Sequence, residues 1–455
     1  MTDLLIDSSP NAIPLHLFKT EEWEAWIANR PASEQAWAKA NGFEAKAGTV
    51  CVLPGPDGGI AAVLAGMDEP LWGAGAMPAK LPAGDYMLAG AWDEQQGTDV
   101  ATGYLLGAYR FSRYKEAEAP KSRLLWPGTA NRGVAEAVAA GVYLARDLIN
   151  TPANDLGPEE LCAAAREVGE RFGAQVRELA GEELLANNYP TIHAVGRAAD
   201  RGPRLMDLRW GPEDAPKITL VGKGVCFDTG GLDLKPASGM LRMKKDMGGA
   251  ACVLGLAHMI MATNLPVRLR VLIPAVENAV SGNAMRPLDV IRTRKGLTVE
   301  IGNTDAEGRL ILCDALAEAD TESPEMLLDC ATLTGAARVA LGTALPALFC
   351  NHDGLAAEML GAGEQASDPL WRLPLHQPYK KMLKSDVADL NNVSEGGFGG
   401  AITAALYLEH FVSPGTPWAH IDMMAWNNSS EPGRPKGGEA QAIRGAFAML
   451  RRRYA

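Results

Sequence analysis

The sequence predicts an α/β protein in two parts: a small N-terminal α/β domain over residues 1–126, and a larger domain over residues 127–455 with a mostly parallel or mixed sheet flanked by helices. Three observations predict it. A chain of 455 residues exceeds one ordinary domain, and its 47% hydrophobic content is enough for two cores. From Asn131 onward, apolar strand-like runs alternate with helical patterns, as expected of a sheet covered by helices on both faces. The charged, Pro-bearing stretch Lys115–Ser122 has little to bury and reads as a linker.

In the first part, Thr49–Leu53 and Ile60–Leu64 are separated by Pro-Gly-Pro-Asp-Gly-Gly, the pattern of two strands joined by a tight turn. Helical patterns fall around Glu21–Ala40 and Asp99–Tyr109. The second part opens with an amphipathic helix, Val134–Ile149, which stops at Asn150-Thr-Pro-Ala-Asn154. Gly157-Pro-Glu-Glu-Leu161 starts another, with proline in the first turn, where no N–H is needed. After it, Ile218–Val221, Leu269–Ile273, Thr298–Ile301 and Met326–Cys330 read as strands, and Met247–Ala262, Leu310–Ala319 and Ala404–Phe411 as helices. In such sheets a ligand sits beyond the carboxyl ends of the strands, where Lys223 and Asp305 are expected to fall.

A net charge of −12 argues against nucleic acid or an anionic membrane as partner, because phosphate binding needs a basic face. The seven cysteines are scattered through apolar runs without a CxxC pair and read as buried hydrophobes of a reducing compartment. The first residues lack a basic stretch followed by a long apolar core, and no uninterrupted apolar run is long enough to span a bilayer. The expectation is a cytoplasmic protein.

The chemistry concentrates in Leu220–Pro236, Lys244–Gly249 and Asn303–Leu310, where Lys223, Asp228, Lys235, Asp246, Asp305, Glu307 and Arg309 stand among glycines at the ends of apolar runs. Burying such groups is costly unless they neutralise one another or hold a cation. Carboxylate oxygens suit Mg, Mn or Zn, and a bridging carboxylate lets four acids serve two ions. Each residue alone has an ordinary explanation. Asp228 could form a turn, Asp246 could cap a helix, and acids such as Asp305 and Glu307 are favoured at helix N-termini. Lys223 could be salt-bridged or cradle a phosphate, although GxxxxGK[ST] is missing. As a metal ligand it must be neutral, which costs roughly 4–5 kcal/mol at pH 7. None of the seven histidines stands in HExxH, and no GxSxG elbow occurs, so a zincin site or a serine triad has no local support.

Taken together, VGKG, FDTGG, LKP, KKDMGGA and NTDAEGRL resemble the signature segments of the cytosolic leucyl aminopeptidases, a dinuclear-metal family that removes N-terminal amino acids. The resemblance runs from about residue 130 to the end and includes Asn150–Asn154, Ser281–Pro287 and Ala331–Gly335. It implies that 127–455 is a catalytic aminopeptidase domain. Lys223, Asp228, Asp246 and Glu307 would surround one metal, and Asp228, Asp305 and Glu307 the other, with Asp228 and Glu307 bridging. A water or hydroxide between the ions would attack the first peptide carbonyl. Lys235 would stabilise the oxyanion, and Arg309 would hold a bicarbonate. Met243, Thr332, Leu333 and Gly335 match substrate-pocket positions. The ions would be Zn or Mn, with Mg or Co as further options, the substrates peptides with a free N-terminus, and the assembly a homohexamer. FDTGG stands where FDSGG is commoner, and residues 1–126 carry no matched motif. The competing readings are a dinuclear-metal phosphoesterase, which carboxylate clusters also suit, and a non-enzymatic module with a vestigial site.

Overall fold

The computed structural model describes residues 4–455, which form two compact units. The first contains the chain up to Tyr143 together with Asn428–Lys436; the second contains Leu144–Asn427 and Gly437–Ala455.

In the first unit a six-stranded sheet runs in the order Leu5–Ile6, Ser122–Leu125, Gly84–Leu88, Ile13–Phe18, Ile60–Gly66, Val50–Pro54. All pairings are parallel except the edge hairpin of Val50–Pro54 with Ile60–Gly66, the pair expected from the Pro/Gly turn. The helical pattern over 21–40 forms two helices, Thr20–Ile27 and Ala32–Ala40, because Pro31 has no N–H for a continuous ladder. Helices Pro70–Ala76 and Glu94–Ala108 approach backbone to backbone. A Cβ on Gly103 would lie 1.9 Å from the Leu71 carbonyl oxygen. The stretch Lys115–Ser122 ends in the strand Ser122–Leu125 of this sheet, and Ala135 and Ala139 of the helix Arg132–Asn150 join this unit's core, so the unit extends past residue 126.

The second unit is built on a nine-stranded mixed sheet. Its parallel centre is Trp418–Asp422, Met326–Ala331, Lys217–Gly222 and Arg268–Asn278; Arg204–Trp210 and Gln175–Ala180 continue it antiparallel on one side, and Ala347–Cys350 does so on the other. The central strands are apolar throughout because helices cover both faces. Leu310, Ile311, Leu312 and Leu316 of helix Gly308–Asp320 pack with Ile192, Leu406 and the sheet residues Val221, Leu272 and Leu327. Helix Gly248–Ala262 is buried along nearly its whole length. Its N-terminus leans on the sheet so closely that a Cβ on Gly249 would lie 2.0 Å from the Cys330 carbonyl oxygen. All seven cysteines are buried and unpaired.

Thr298–Glu300, expected in the main sheet, instead belongs to a separate three-stranded sheet with Val290–Arg292 and Leu390–Asn391. A short apolar run does not encode which sheet it joins. Among the described residues no helix is long and apolar enough to cross a membrane.

Candidate active site

Lys223 directly follows the strand Lys217–Gly222, as expected, and a second strand, Gly224–Asp228, starts after it. Both strands pair parallel with Arg268–Asn278, the second with a register shift between Val225 and Phe227. The Lys223 N–H donates to the Cys330 carbonyl at 3.0 Å, and its carbonyl accepts from Ala250 N–H at 2.9 Å. Sheet and helix start therefore fix this backbone together, while the side chain leaves for the interior. Asp246 enters from the short turn Met243–Met247 that precedes helix Gly248–Ala262. It caps nothing, because the N-cap is Met247. Thr332 Oγ1 instead donates to Asp246 Oδ1 at 2.7 Å.

Asp228 ends its strand, and its Oδ1 accepts from Gly230 N and from Asn278 Nδ2, each at 2.9 Å. The following loop turns through Gly230 and Gly231 with φ of +89° and +67°, a region L side chains rarely adopt. Thr304 pins this loop to the segment of Asp305, its Oγ1 donating to Gly230 O at 2.6 Å and accepting from Asp233 N at 2.8 Å. Glu307 takes the N-cap position of helix Gly308–Asp320 without capping it. Both its oxygens are buried and accept no hydrogen bond. Arg309 is buried, donates from Nη1 to Asn392 O at 2.7 Å and faces the Tyr407 ring.

These side chains converge on one cavity of about 380 Å³. Lys223, Asp228, Lys235, Asp246, Asp305, Glu307 and Arg309 line it, as do Met243, Thr332, Leu333 and Gly335. Lys223 Nζ lies 2.7 Å from Asp246 Oδ2 and 3.0 Å from Glu307 Oε1. Lys235 Nζ lies 2.7 Å from Asp228 Oδ2 and also contacts Asp305. Carboxylate oxygens of Asp228, Asp305 and Glu307 lie within 4.8 Å of one another.

The electrostatics follow from this crowding. Burial, then Asp228, push the Glu307 carboxyl up to about 8. Burial and Asp228 also raise Asp305. For Asp246, burial is outweighed by the charges of Lys223 and Lys245, which hold it below the usual carboxylate range. Burial opposes protonation of Lys223 and Lys235, yet the facing carboxylates win and raise both. Four carboxylates thus face two ammonium groups at close range. A buried carboxylate whose Oε2 has no donor, beside three further carboxylates, is what an oxygen-seeking divalent cation satisfies, so the donor set fits metal ions.

Several residues that hold the site carried no sequence signal. Asn278 orients Asp228, and Asn392 takes Arg309. Asp422 accepts from Leu333 N, Thr334 N and Thr334 Oγ1 and so fixes the pocket wall. Arg338 also lines the cavity. They fall outside the matched segments and are ordinary residue types.

Fold and site define a hydrolase class in which a mixed α/β scaffold presents a carboxylate–lysine cation centre in a peptide-sized cavity. Residues 143–446 match the model of the cytosol aminopeptidase family, catalytic domain, and residues 13–127 that of the M17 aminopeptidase, N-terminal domain. The chain belongs to the cytosol aminopeptidase family. It is 44% identical over 370 residues to a probable cytosol aminopeptidase of Roseiflexus castenholzii, covering 77% of this chain and 75% of that one. Among solved structures, the cytosol aminopeptidase from Coxiella burnetii superposes with a TM-score of 0.96 at 48% identity over 100% of both chains. The bottromycin maturation enzyme BotP in complex with Mn gives 0.86 at 33% identity over 97% of this chain and 99% of that one. The protein is an aminopeptidase that hydrolyses peptides from the N-terminus; nothing in these relationships supports a phosphoesterase.

Proposed function

We propose that catalysis is carried by residues 127–455 and uses two divalent ions, Zn or Mn, with Mg or Co as further options. Lys223, Asp228, Asp246 and Glu307 hold one ion, and Asp228, Asp305 and Glu307 the other. The observation that carries this reading is the convergence of four carboxylates and two lysines on one cavity. A bound ion pair supplies Lewis acidity toward the first peptide carbonyl and toward water. Lys223 then ligates as a free amine, the change that replacing ammonium neutralisation by a dication permits. Lys235, tied to Asp228 and Asp305 at the cavity wall, donates to the oxyanion that develops on the carbonyl. Arg309, whose Nε is buried without a hydrogen-bond partner, would hold a bicarbonate, which would supply a proton-transfer group there. Met243, Thr332, Leu333 and Gly335 form the wall against the first side chain.

We further expect a cytoplasmic homohexamer, for which light scattering at micromolar concentration is the test. The catalytic reading is tested by chelating the enzyme, restoring each metal in turn, and comparing free with N-acetylated peptides. Activity returning with metal and falling by orders of magnitude on acetylation is the expected result. Equal rates on free and blocked peptides refute it.

A further inference from the structure

The cations lining the carboxylate cluster are matched to acceptors: Lys223 has Asp246 and Glu307, Lys235 has Asp228 and Asp305. Lys244, next in the chain to Lys245, donates to the Asn150 carbonyl at 2.5 Å. One further cation lining the cavity is not matched. Arg338, on helix Gly335–Leu341, lines the cavity, and its Nη1 is buried without a hydrogen-bond partner. Its Nη2 lies 3.8 Å from where a Cβ on Gly335 would be, so the guanidinium folds back over a residue of the cavity wall.

A guanidinium nitrogen buried in a cavity wall without an acceptor is retained where something else supplies one. The aminopeptidase reaction has a changing participant at this cavity, the substrate. We propose that Arg338 recognises a substrate carboxylate, and that this carboxylate is the side chain of an N-terminal Asp or Glu. The proposal rests on the reading of this cavity as the place where the first residue binds. A guanidinium takes a carboxylate bidentately, and its charge does not depend on pH in the working range.

The carboxylate could also be the C-terminus of a short peptide, and position decides between the two. Asp246 is bonded to Thr332, from whose segment Arg338 follows, and all three line the same cavity. Arg338 thus shares its cavity with the reacting cluster itself. The first residue of a peptide brings its amine and carbonyl to that cluster, and its side chain alone stays within a few bonds of it. The C-terminus leaves on the far side of the scissile bond. Met243 and Thr332 offer apolar surface to the methylenes of such a side chain.

The test uses the full-length, metal-reconstituted enzyme and the p-nitroanilides of Glu, Asp, Gln and Leu, which have no C-terminal carboxylate, with Leu-Gly and Leu-Gly amide as the second arm. Glu anilide is expected to exceed Gln anilide in kcat/KM, and Arg338→Gln is expected to lower the Glu-to-Leu ratio by about 100-fold, chiefly through KM. Arg338→Lys should restore part of it, and Arg338→Met should lower the ratio as Arg338→Gln does, which keeps the test valid if one variant folds poorly. A purely structural role would lower both substrates alike. Leu anilide hydrolysis with a Glu-to-Leu ratio that neither substitution changes overturns the inference alone. An Arg338-dependent preference for Leu-Gly over its amide overturns the side-chain assignment. Absence of Leu anilide hydrolysis in the unsubstituted enzyme overturns the reading on which the proposal rests.

Discussion

A methyl group on Gly308 would stand 2.6 Å from Cε of Lys223 and 2.7 Å from its Nζ. The first residue of helix Gly308–Asp320 thus sets the room into which the lysine of a distant strand extends. Gly308→Ala favours the helix by propensity, so its cost should appear in the site and not in the fold. We expect metal affinity and kcat/KM to fall by about 10–100-fold, with thermal stability kept. Elemental analysis, kinetics and a melting curve check this; unchanged metal binding and turnover would show that Lys223 need not occupy its present position.

Glu307 and Lys235 are assigned different work and should fail differently. Glu307→Gln removes a negative charge from between two dications and should lower metal occupancy together with rate. Lys235→Ala should keep the metals and lose turnover by about 10²–10³-fold, as an oxyanion donor does. Metal content beside kcat decides; a Lys235 variant without metal and a Glu307 variant with a full pair would reverse the roles.

The contact of Gly249 with the Cys330 carbonyl predicts a change in stability. A Cβ 2.0 Å from a backbone oxygen cannot be accommodated by a side-chain rotation, so helix and strand must part. Gly249→Ala is expected to cost about 1–3 kcal/mol, since overpacking outweighs the gain in helix propensity. A lowered melting temperature is the readout, and an unchanged or raised one contradicts the packing argument.

His258 gives a pH dependence remote from the site. Its ring packs edge-on to Phe172 at 5.1 Å, and burial, then the charge of Arg171, lower its pKa to about 4. A depressed folded pKa means that stability is complete above the unfolded value of about 6.5 and is lost as pH falls toward 4. The loss is roughly 3 kcal/mol at its full extent. His258→Leu should therefore flatten the decline of stability between pH 6.5 and 4 relative to the parent, measured by denaturant midpoints across that range. Parallel curves for the two proteins would disprove the assignment.

The sequence by itself determined the α/β class, the residues of the cation cluster and the family. Those rest on local patterns: apolar runs of strand length, glycines where the backbone must turn, and charged residues at fixed short offsets in KKDMGGA and NTDAEGRL. Only the tertiary structure decided the rest. It placed Thr298–Glu300 in a small sheet of its own, because pairing partners such as Leu390–Asn391 lie far away in the chain. It put a second strand directly after Lys223, whose backbone between the two is held by bonds to Cys330 and Ala250 from two other elements. It excluded a capping role for Asp246 by starting the helix one residue later, and it brought Asn278, Asn392 and Asp422 to the site from strands and loops without a motif. The unmatched guanidinium nitrogen of Arg338 is of the same kind. A residue type and its neighbours are written in sequence, but whether a buried charge finds a partner depends on what the folded chain packs against it.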